Sequence, residues 1–409
     1  MKKLILLIVP FFLYAESLKS LLEYATQNNQ LVESKAFSQQ SKQKEVDSKK
    51  SNFYPTIDVG AYYQSVDERN FMVPGDVYSG YAKVGFDIYD GGGKPALLKQ
   101  KRDEFSASTH DLNEIKKSIS LQIINNFFNI KSLESSLSSR EEAQRSLKVQ
   151  LDRMSAFYDA HLATKDDVDR LQAAFDTNIY DMESNKLQIL SLKLNLQLQV
   201  GKEIGNLDES SFNEQSADEI ELIDSIKSLK STKESIKSFA NSIDSIYYPQ
   251  LRVEDTYNFY GYGNVDAQHP EGVDAQNKIM LTANFRLYDN ATIGNSKQAV
   301  EISSQALSKR IEYKTAEQKM QHDLAVARIN TSKIKIKSAS SALTSAASAF
   351  NTIEKKYTAG IVDNVTYLDA LVSKTKATSL HKTSLNDLQV AYGIYYYYAG
   401  KNMKEFLNE

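Results

Sequence analysis

The stretch "FDIYDGGGKPALLKQ" runs from Phe86 to Gln100, and "FRLYDNATIGNSKQA" repeats its plan from Phe285 to Ala299. Each closes an alternating segment on Tyr-Asp, turns, and opens a Lys-Gln segment with helical texture. The two copies stand 199 residues apart. Tyr158 and Tyr357, Leu171 and Ala370, and Gly201 and Gly400 stand at the same separation. "FYPTIDV" and "YYPQLRV" match at 194, so the first loop system differs in length. A repeat of this period is the strongest signal in the chain. It reads as a duplicated unit of helix, strand, strand, long helix, turn and helix.

Pro and Gly divide each unit. No glycine falls between Gly93 and Gly201, no proline between Pro95 and Pro249, and no breaker between Gly294 and Gly360. Two helices of about 60 residues follow, from about Pro95 to Tyr158 and from about Asn295 to Tyr357, each about 90 Å long at 1.5 Å per residue. Pro95 suits a first helical turn. In the second helix Ile336, Ala339, Leu343, Ala346, Phe350, Ile353 and Tyr357 alternate spacings of three and four. That register keeps one narrow apolar seam against a partner helix. Leu137, Leu147, Leu151, Met154 and Tyr158 hold it in the first helix, where Arg140 and Gln144 interrupt it.

Four other segments alternate with period two, the mark of a strand with one oily and one polar face. The oily sides are Ile57, Val59, Ala61 and Tyr63; Ala82, Val84, Phe86 and Ile88; and Ile279, Leu281, Ala283, Phe285 and Leu287. Leu251 to Phe259 follows less cleanly, with Asp255 on its apolar side. Loops Asp67 to Ser79 and Gly261 to Asn277 join the strands in pairs. Exposed oily strands survive in hydrocarbon only as a closed barrel, because open edges leave N–H and C=O groups unpaired. Four strands do not close, since the smallest single-chain barrels use about 8; three copies of four give 12. A small soluble sandwich capping a helical rod is the alternative.

Composition narrows the rest. The opening MKKLILLIVPFFLYAES reads as a secretory signal peptide cut after Ala15, its apolar run too short to span a bilayer. Absent cysteine excludes disulfides, thiolate metal sites and a cysteine nucleophile. A formal charge of -3 gives no pull towards nucleic acid. His110, His161, His269, His322 and His381 lack i, i+4 partners, and no nucleophile elbow appears, so no enzyme, metal or cofactor is expected. "YDGGG" lacks the GxxxxGK[ST] phosphate pattern. Asp90 with Gly91, and Asp289 with Asn290, read instead as barrel-to-helix junctions, where an acceptor caps free helix N–H groups and glycine permits a sharp exit. Tyr395 to Tyr398 read as core packing at a helix end.

The chain resembles the TolC family of outer membrane efflux proteins. The carriers are "ESLKSLLEYATQNNQLV", "FYPTI" and "YYPQL" before the strands, "DIYDGG" and "RLYDNA" after them, and "KYTAGIVDNVTYLDAL" at Lys355 to Leu371. The resemblance implies a mostly α chain with β: duplicated long coiled-coil hairpins plus four strands. It implies a homotrimer with a 12-stranded outer membrane β-barrel continuing into a 12-helix periplasmic tunnel. Such a duct serves tripartite drug efflux or type I protein secretion with a periplasmic adaptor and an inner-membrane transporter. By the same resemblance Asp369 falls on one of two acidic rings at the tip, and the other falls on Thr366, so one ring is lost. Tyr357 matches a latching tyrosine and Asp167 a carboxylate of the first-half turn. The basic latch partner falls on Val362, which leaves that latch weakened or rebuilt. His161 stands where the family has glycine, opposite Gly360. From charge alone, three Asp369 carboxylates about an axis would attract cations and resist anions. The expected organisation is a signal peptide at 1–15, a first repeat at 16–205, an acidic linker at 206–221 and a second repeat at 222–409. The competing function is an extracytoplasmic coiled-coil scaffold or adaptor without a membrane barrel.

Overall fold

The computed structural model describes residues 16–67, 75–214, 219–263 and 272–408. The expected signal peptide, His269, the middles of both strand-joining loops and part of the acidic linker lie outside those residues. Leu18–Asn28 forms α1, capped by the Ser17 side chain, which accepts from Ser20 N at 3.3 Å. Gln30–Ser51 forms α2. The break between them is held by Asn29, whose Oδ1 accepts from Leu31 N at 2.8 Å while its Nδ2 donates to Gln199 O at 2.7 Å.

The strands are β1 (Thr56–Ser65), β2 (Asp76–Asp90), β3 (Gln250–Gly263) and β4 (Ala275–Asn284). They form one antiparallel sheet in the order β1-β2-β3-β4, so β1 and β4 each have one neighbour. Register decides which residues share a face. Ile57 pairs with Val84, Val84 with Asp255 and Asp255 with Ile279, so the alternating apolar sets fall on one side with Asp255 among them. That side is bare: Ile57 is 75% exposed, Val59 82%, Ile279 72% and Leu281 66%. The other side carries Asp58, Lys83, Arg252, Glu254, Lys278 and Tyr62. Phe285 and Leu287, read as strand, lie beyond β4. The ladder ends at the pair Gln250–Asn284, and Pro249, the next residue along β3, has no N–H to extend it.

After the strands come α3 (Gly93–Asp159) and α6 (Thr292–Thr358), each of 67 residues, uninterrupted where the sequence has no breaker beyond the first turn. Turns at 160–164 and 359–363 lead into α4 (Lys165–Val200) and α7 (Asn364–Tyr398). Ahead of β3 lies α5 (Asp224–Asp244). Among the described residues no helix is long and apolar enough to cross a membrane.

The chain divides into two compact units, and each draws on both halves of the repeat. One comprises Met1–Lys35, Leu112–Asp224 and Lys314–Glu409. Its core includes Leu18, Leu21 and Leu22 of α1, Ile123, Ile124, Phe127 and Phe128 of α3, and Leu196 of α4, all fully or almost fully buried. Rings continue from Phe128 to Phe212 at 6.4 Å, on to Tyr396 at 5.7 Å and to Phe406 at 3.9 Å. Tyr396 is fully buried and donates to Asn213 O at 2.6 Å. The acidic segment is pinned here by Leu207 and Phe212, both buried. The other unit comprises Ala36–Asp111 and Ser225–Tyr313. In it the sheet is joined by α2 and the first turns of α3, tied by Lys42 and Lys101, each contacting both Glu45 and Glu104.

The α6 seam runs further than its apolar residues indicate. Upstream of Ile336 the same spacing continues through Ser332, Ile329, Ala325, His322 and Gln318. Gln318 is buried because it serves the linker: its Nε2 donates to Glu221 O at 2.7 Å and Tyr398 O at 2.8 Å, and its Oε1 accepts from Ile223 N at 3.3 Å. Gln318→Leu extends the apolar stripe yet orphans two carbonyls and one amide. We expect it to lower stability by about 2–4 kcal/mol in urea unfolding, with earlier proteolysis beside Glu221.

Candidate functional site: the hairpin tips and the strand-to-helix junctions

The two inter-helix turns share a backbone and differ in side chains. At the first, Thr164 caps α4 and accepts from Asp167 N at 3.3 Å, while the Asp167 carboxylate accepts from Thr164 Oγ1 at 2.6 Å and from Thr164 N at 3.3 Å. This is a reciprocal capping box. At the second, the pair is reversed: Asp363 caps α7 and accepts from Thr366 N at 3.0 Å. Hydrogen bonding from the Thr366 side chain and then from its main-chain N–H holds the Asp363 carboxyl below its usual range. The second residue of each turn is left-handed, Gly360 at φ 74° and His161 at φ 61°. A side chain there costs about 1 kcal/mol that glycine avoids.

Between the turns lies an apolar core of Leu147, Leu151, Leu171, Phe350, Tyr357 and Tyr367, with Val362 packed against it. Tyr357 and Tyr367 stack with centroids 4.7 Å apart. Tyr357 is 7% exposed, whereas its repeat equivalent Tyr158 is 43% exposed and leaves the seam expected of it. Burial pushes the Tyr357 phenol above its usual range, with Arg153 opposing and Asp167 reinforcing the shift. Burial raises Tyr367 to about 12. Its hydroxyl lies towards Ser146 without reaching hydrogen-bond geometry. Buried Asn364 donates to Asp167 O at 3.1 Å, and Arg153 donates to Thr358 O at 3.0 Å, so both turns are tied together. Asp369 and Thr366 are exposed on one face of α7, three residues apart.

At the junctions the Asp90 carboxylate accepts from Gly92 N at 3.2 Å and from Lys94 N. Asp289 Oδ2 accepts from Ile293 N at 2.8 Å, and its Oδ1 accepts from Tyr247 OH at 3.0 Å. Capping from four residues upstream starts each long helix two or three residues earlier than Pro95 or Asn295. Gly91 is left-handed at φ 72°, and a Cβ there would stand 2.2 Å from Ser245 O. Asn290 takes the equivalent place at φ 55°, as short polar side chains can.

Residues 21–202 match the family described as outer membrane efflux protein. Over that stretch the chain resembles outer membrane efflux proteins. Its location is the outer membrane. A membrane protein from Pseudomonas aeruginosa shares its fold with a TM-score of 0.84 at 13% identity, over 94% of this chain and 93% of the other. The Campylobacter jejuni CmeC outer membrane channel gives 0.83 at 12%, over 94% and 85%. The Vibrio cholerae outer membrane protein VceC gives 0.80 at 13%, over 94% and 96%. No curated protein matches the sequence.

At the tip, Val362 joins the apolar core, and the cation beside Tyr357 is Arg153 of α3. Sequence reading missed Arg153, Asn364 and Tyr367. Tyr367 alone left a signal, since it stands ten residues after Tyr357 across the turn. An unfolded phenol titrates near 10.0 and the folded Tyr367 near 12, so the unfolded chain loses its proton first. Its contribution is complete below pH 10.0 and is lost as pH rises towards 12. We expect Tyr367→Phe to flatten this alkaline loss in circular dichroism titrations while changing neutral-pH stability by no more than about 1 kcal/mol.

Proposed function

We propose that three copies of the chain pool their strands into a 12-stranded outer membrane barrel that continues into a 12-helix tunnel through the periplasm. The assembly is a passive exit duct. It serves a tripartite efflux pump for drugs and small toxic compounds, opened by a periplasmic adaptor and an inner-membrane transporter. A type I secretion system would use the same duct for polypeptides. The observation that carries the reading is the open sheet: β1 and β4 have one neighbour each, and Ile57, Val59, Ile279 and Leu281 stand bare on one face. In hydrocarbon such edges must be paired, and lipid satisfies the oily face. The family match and the likeness in fold to outer membrane channels support the same reading.

The tip turns form the closing end of this duct. Asp369, exposed on α7, supplies a ring of carboxylates, and Thr366 contributes none to a second ring. The latch centres on Tyr357, with Arg153 in place of a base at Val362 and Asp167 committed to its cap.

The protein should fractionate with the outer membrane and migrate, unheated, as a trimer that heating collapses to one chain. A folded, water-soluble monomer in the absence of detergent would overturn the reading. In planar bilayers Asp369→Ala should raise conductance or weaken block by divalent cations several-fold. Unchanged conductance and block would remove Asp369 from the aperture.

A further inference from the structure

The face of the sheet opposite the oily one changes character along its length, from charged beside the strand-to-helix junctions to aromatic at the far end. Near the junctions the charges pair off. Arg252 donates from Nη1 to Asp87 Oδ1 at 2.7 Å and from Nε to Glu254 Oε1 at 3.0 Å. Its guanidinium covers Gly85, where a Cβ would stand 2.5 Å from Nη2. Lys94 meets Asp87 at 2.8 Å with Asp90 beside it, and Lys83 meets Glu254 at 3.7 Å. Asp58 and Lys278 stand in the row of Lys83. Four cations (Lys83, Lys94, Arg252, Lys278) therefore meet four carboxylates (Asp58, Asp87, Asp90, Glu254), and these rows leave no net charge.

Beyond Lys83, register gathers tyrosines. Tyr62 pairs with Ser79 and Ser79 with Tyr260, while Tyr81 pairs with Gly60 and Tyr262 with Val77. Strand alternation puts all four rings on the side away from Ile57 and Val59. Glycines make room for two of them. The Tyr81 ring lies over Gly60 and the Tyr262 ring over Gly272, and a Cβ at either glycine would stand 2.5 Å from ring atoms. Tyr262 OH donates to Val273 O at 3.1 Å, and its ring runs nearly parallel to Tyr260, with centroids 6.2 Å apart and 16° between the planes. Rings laid down on the sheet in this way offer their faces to the space above it.

Two polar groups complete the patch. Ser79, 4% exposed, lies between Tyr62 and Tyr260 with its hydroxyl unpartnered. Tyr260 N donates to Asp274 O at 2.8 Å, which extends the ladder by one pair and sets exposed Asp274 on the tyrosine side. Among the described residues Asp274 is the one charged side chain in these rows of this face. Asp76 stands on the oily side, where it accepts from Tyr63 OH at 2.9 Å.

We infer that Tyr62, Tyr81, Tyr260 and Tyr262, with Asp274, form a wall site in the duct for organic cations, namely quaternary ammonium compounds and cationic aromatic dyes. Aromatic faces attract such cations through the ring quadrupole, and a carboxylate alongside adds Coulomb attraction. The orphaned Ser79 hydroxyl marks where a polar group of the ligand would complete the set. The inference rests on the duct reading, in which this face lines the lumen.

The test is the fluorescence anisotropy of ethidium titrated with the purified trimer in uncharged detergent, with the anionic dye fluorescein as control. Wild-type trimer should bind ethidium saturably and leave fluorescein free. Tyr260→Leu and Asp274→Asn should each raise the ethidium dissociation constant roughly two- to fivefold. Tyr260→Phe keeps the ring face and should stay close to wild type. Tyrosines that only brace the sheet predict no loss of binding from Asp274→Asn. If ethidium does not bind saturably, or binds equally well after both Tyr260→Leu and Asp274→Asn in trimers that keep their heat-modifiable band, the wall site is overturned. If the wild-type chain is a water-soluble monomer without detergent, the duct reading falls instead.

Discussion

Unmet main-chain hydrogen bonds on the two outer strands are the constraint on which the rest depends. The sheet of one chain satisfies β2 and β3 on both sides and leaves β1 and β4 with one ladder each. Its bare oily face asks for hydrocarbon, and hydrocarbon offers no partner to an open edge. The two demands are compatible only when further strands complete the sheet. The helices carry the same mark. Leu187, Leu190, Leu194 and Leu198 of α4 stay exposed in a single chain, at spacings suited to a neighbouring helix.

Duplication supplied the frame and divergence supplied the chemistry. At both tips a capping side chain accepts from the N–H three residues on, yet Thr164 with Asp167 became Asp363 with Thr366. At both junctions an aspartate caps from four residues upstream, while glycine in one copy became asparagine in the other. The backbone solution is kept because the hydrogen-bond geometry is the same in each half. The aromatic pair was placed on one side only: Tyr357 stacks on Tyr367, whereas Tyr158 faces solvent and Val168 stands opposite Tyr367 in the repeat.

Long helices and alternating strands were legible because period and punctuation are local properties, and the junctions were legible because Tyr-Asp followed by a turn occurs twice. The upstream half of the α6 seam was not. Gln318 and His322 occupy core positions as polar residues, and what makes Gln318 tolerable is a pair of carbonyls far away in sequence, Glu221 O and Tyr398 O. The end of β4 was hidden for a similar reason. Phe285 and Leu287 continue the alternation, but a strand lasts only while its partner offers hydrogen bonds, and Pro249 ends that supply. At the tip, nothing in the local sequence pointed to Arg153 as the cation beside Tyr357.

The sequence by itself determined the duplicated plan, the element types, the oily and polar sides of each strand and the residues that stop each helix, since all of these follow from spacing along one chain. Only the tertiary structure decided that the four oily sides coincide, that Arg252 meets Asp87 and Glu254 across Gly85, and that Asn364 and Arg153 bind the two turns together. Those outcomes depend on register and on approach between segments more than a hundred residues apart, and neither is encoded in the periodicity of the segments themselves.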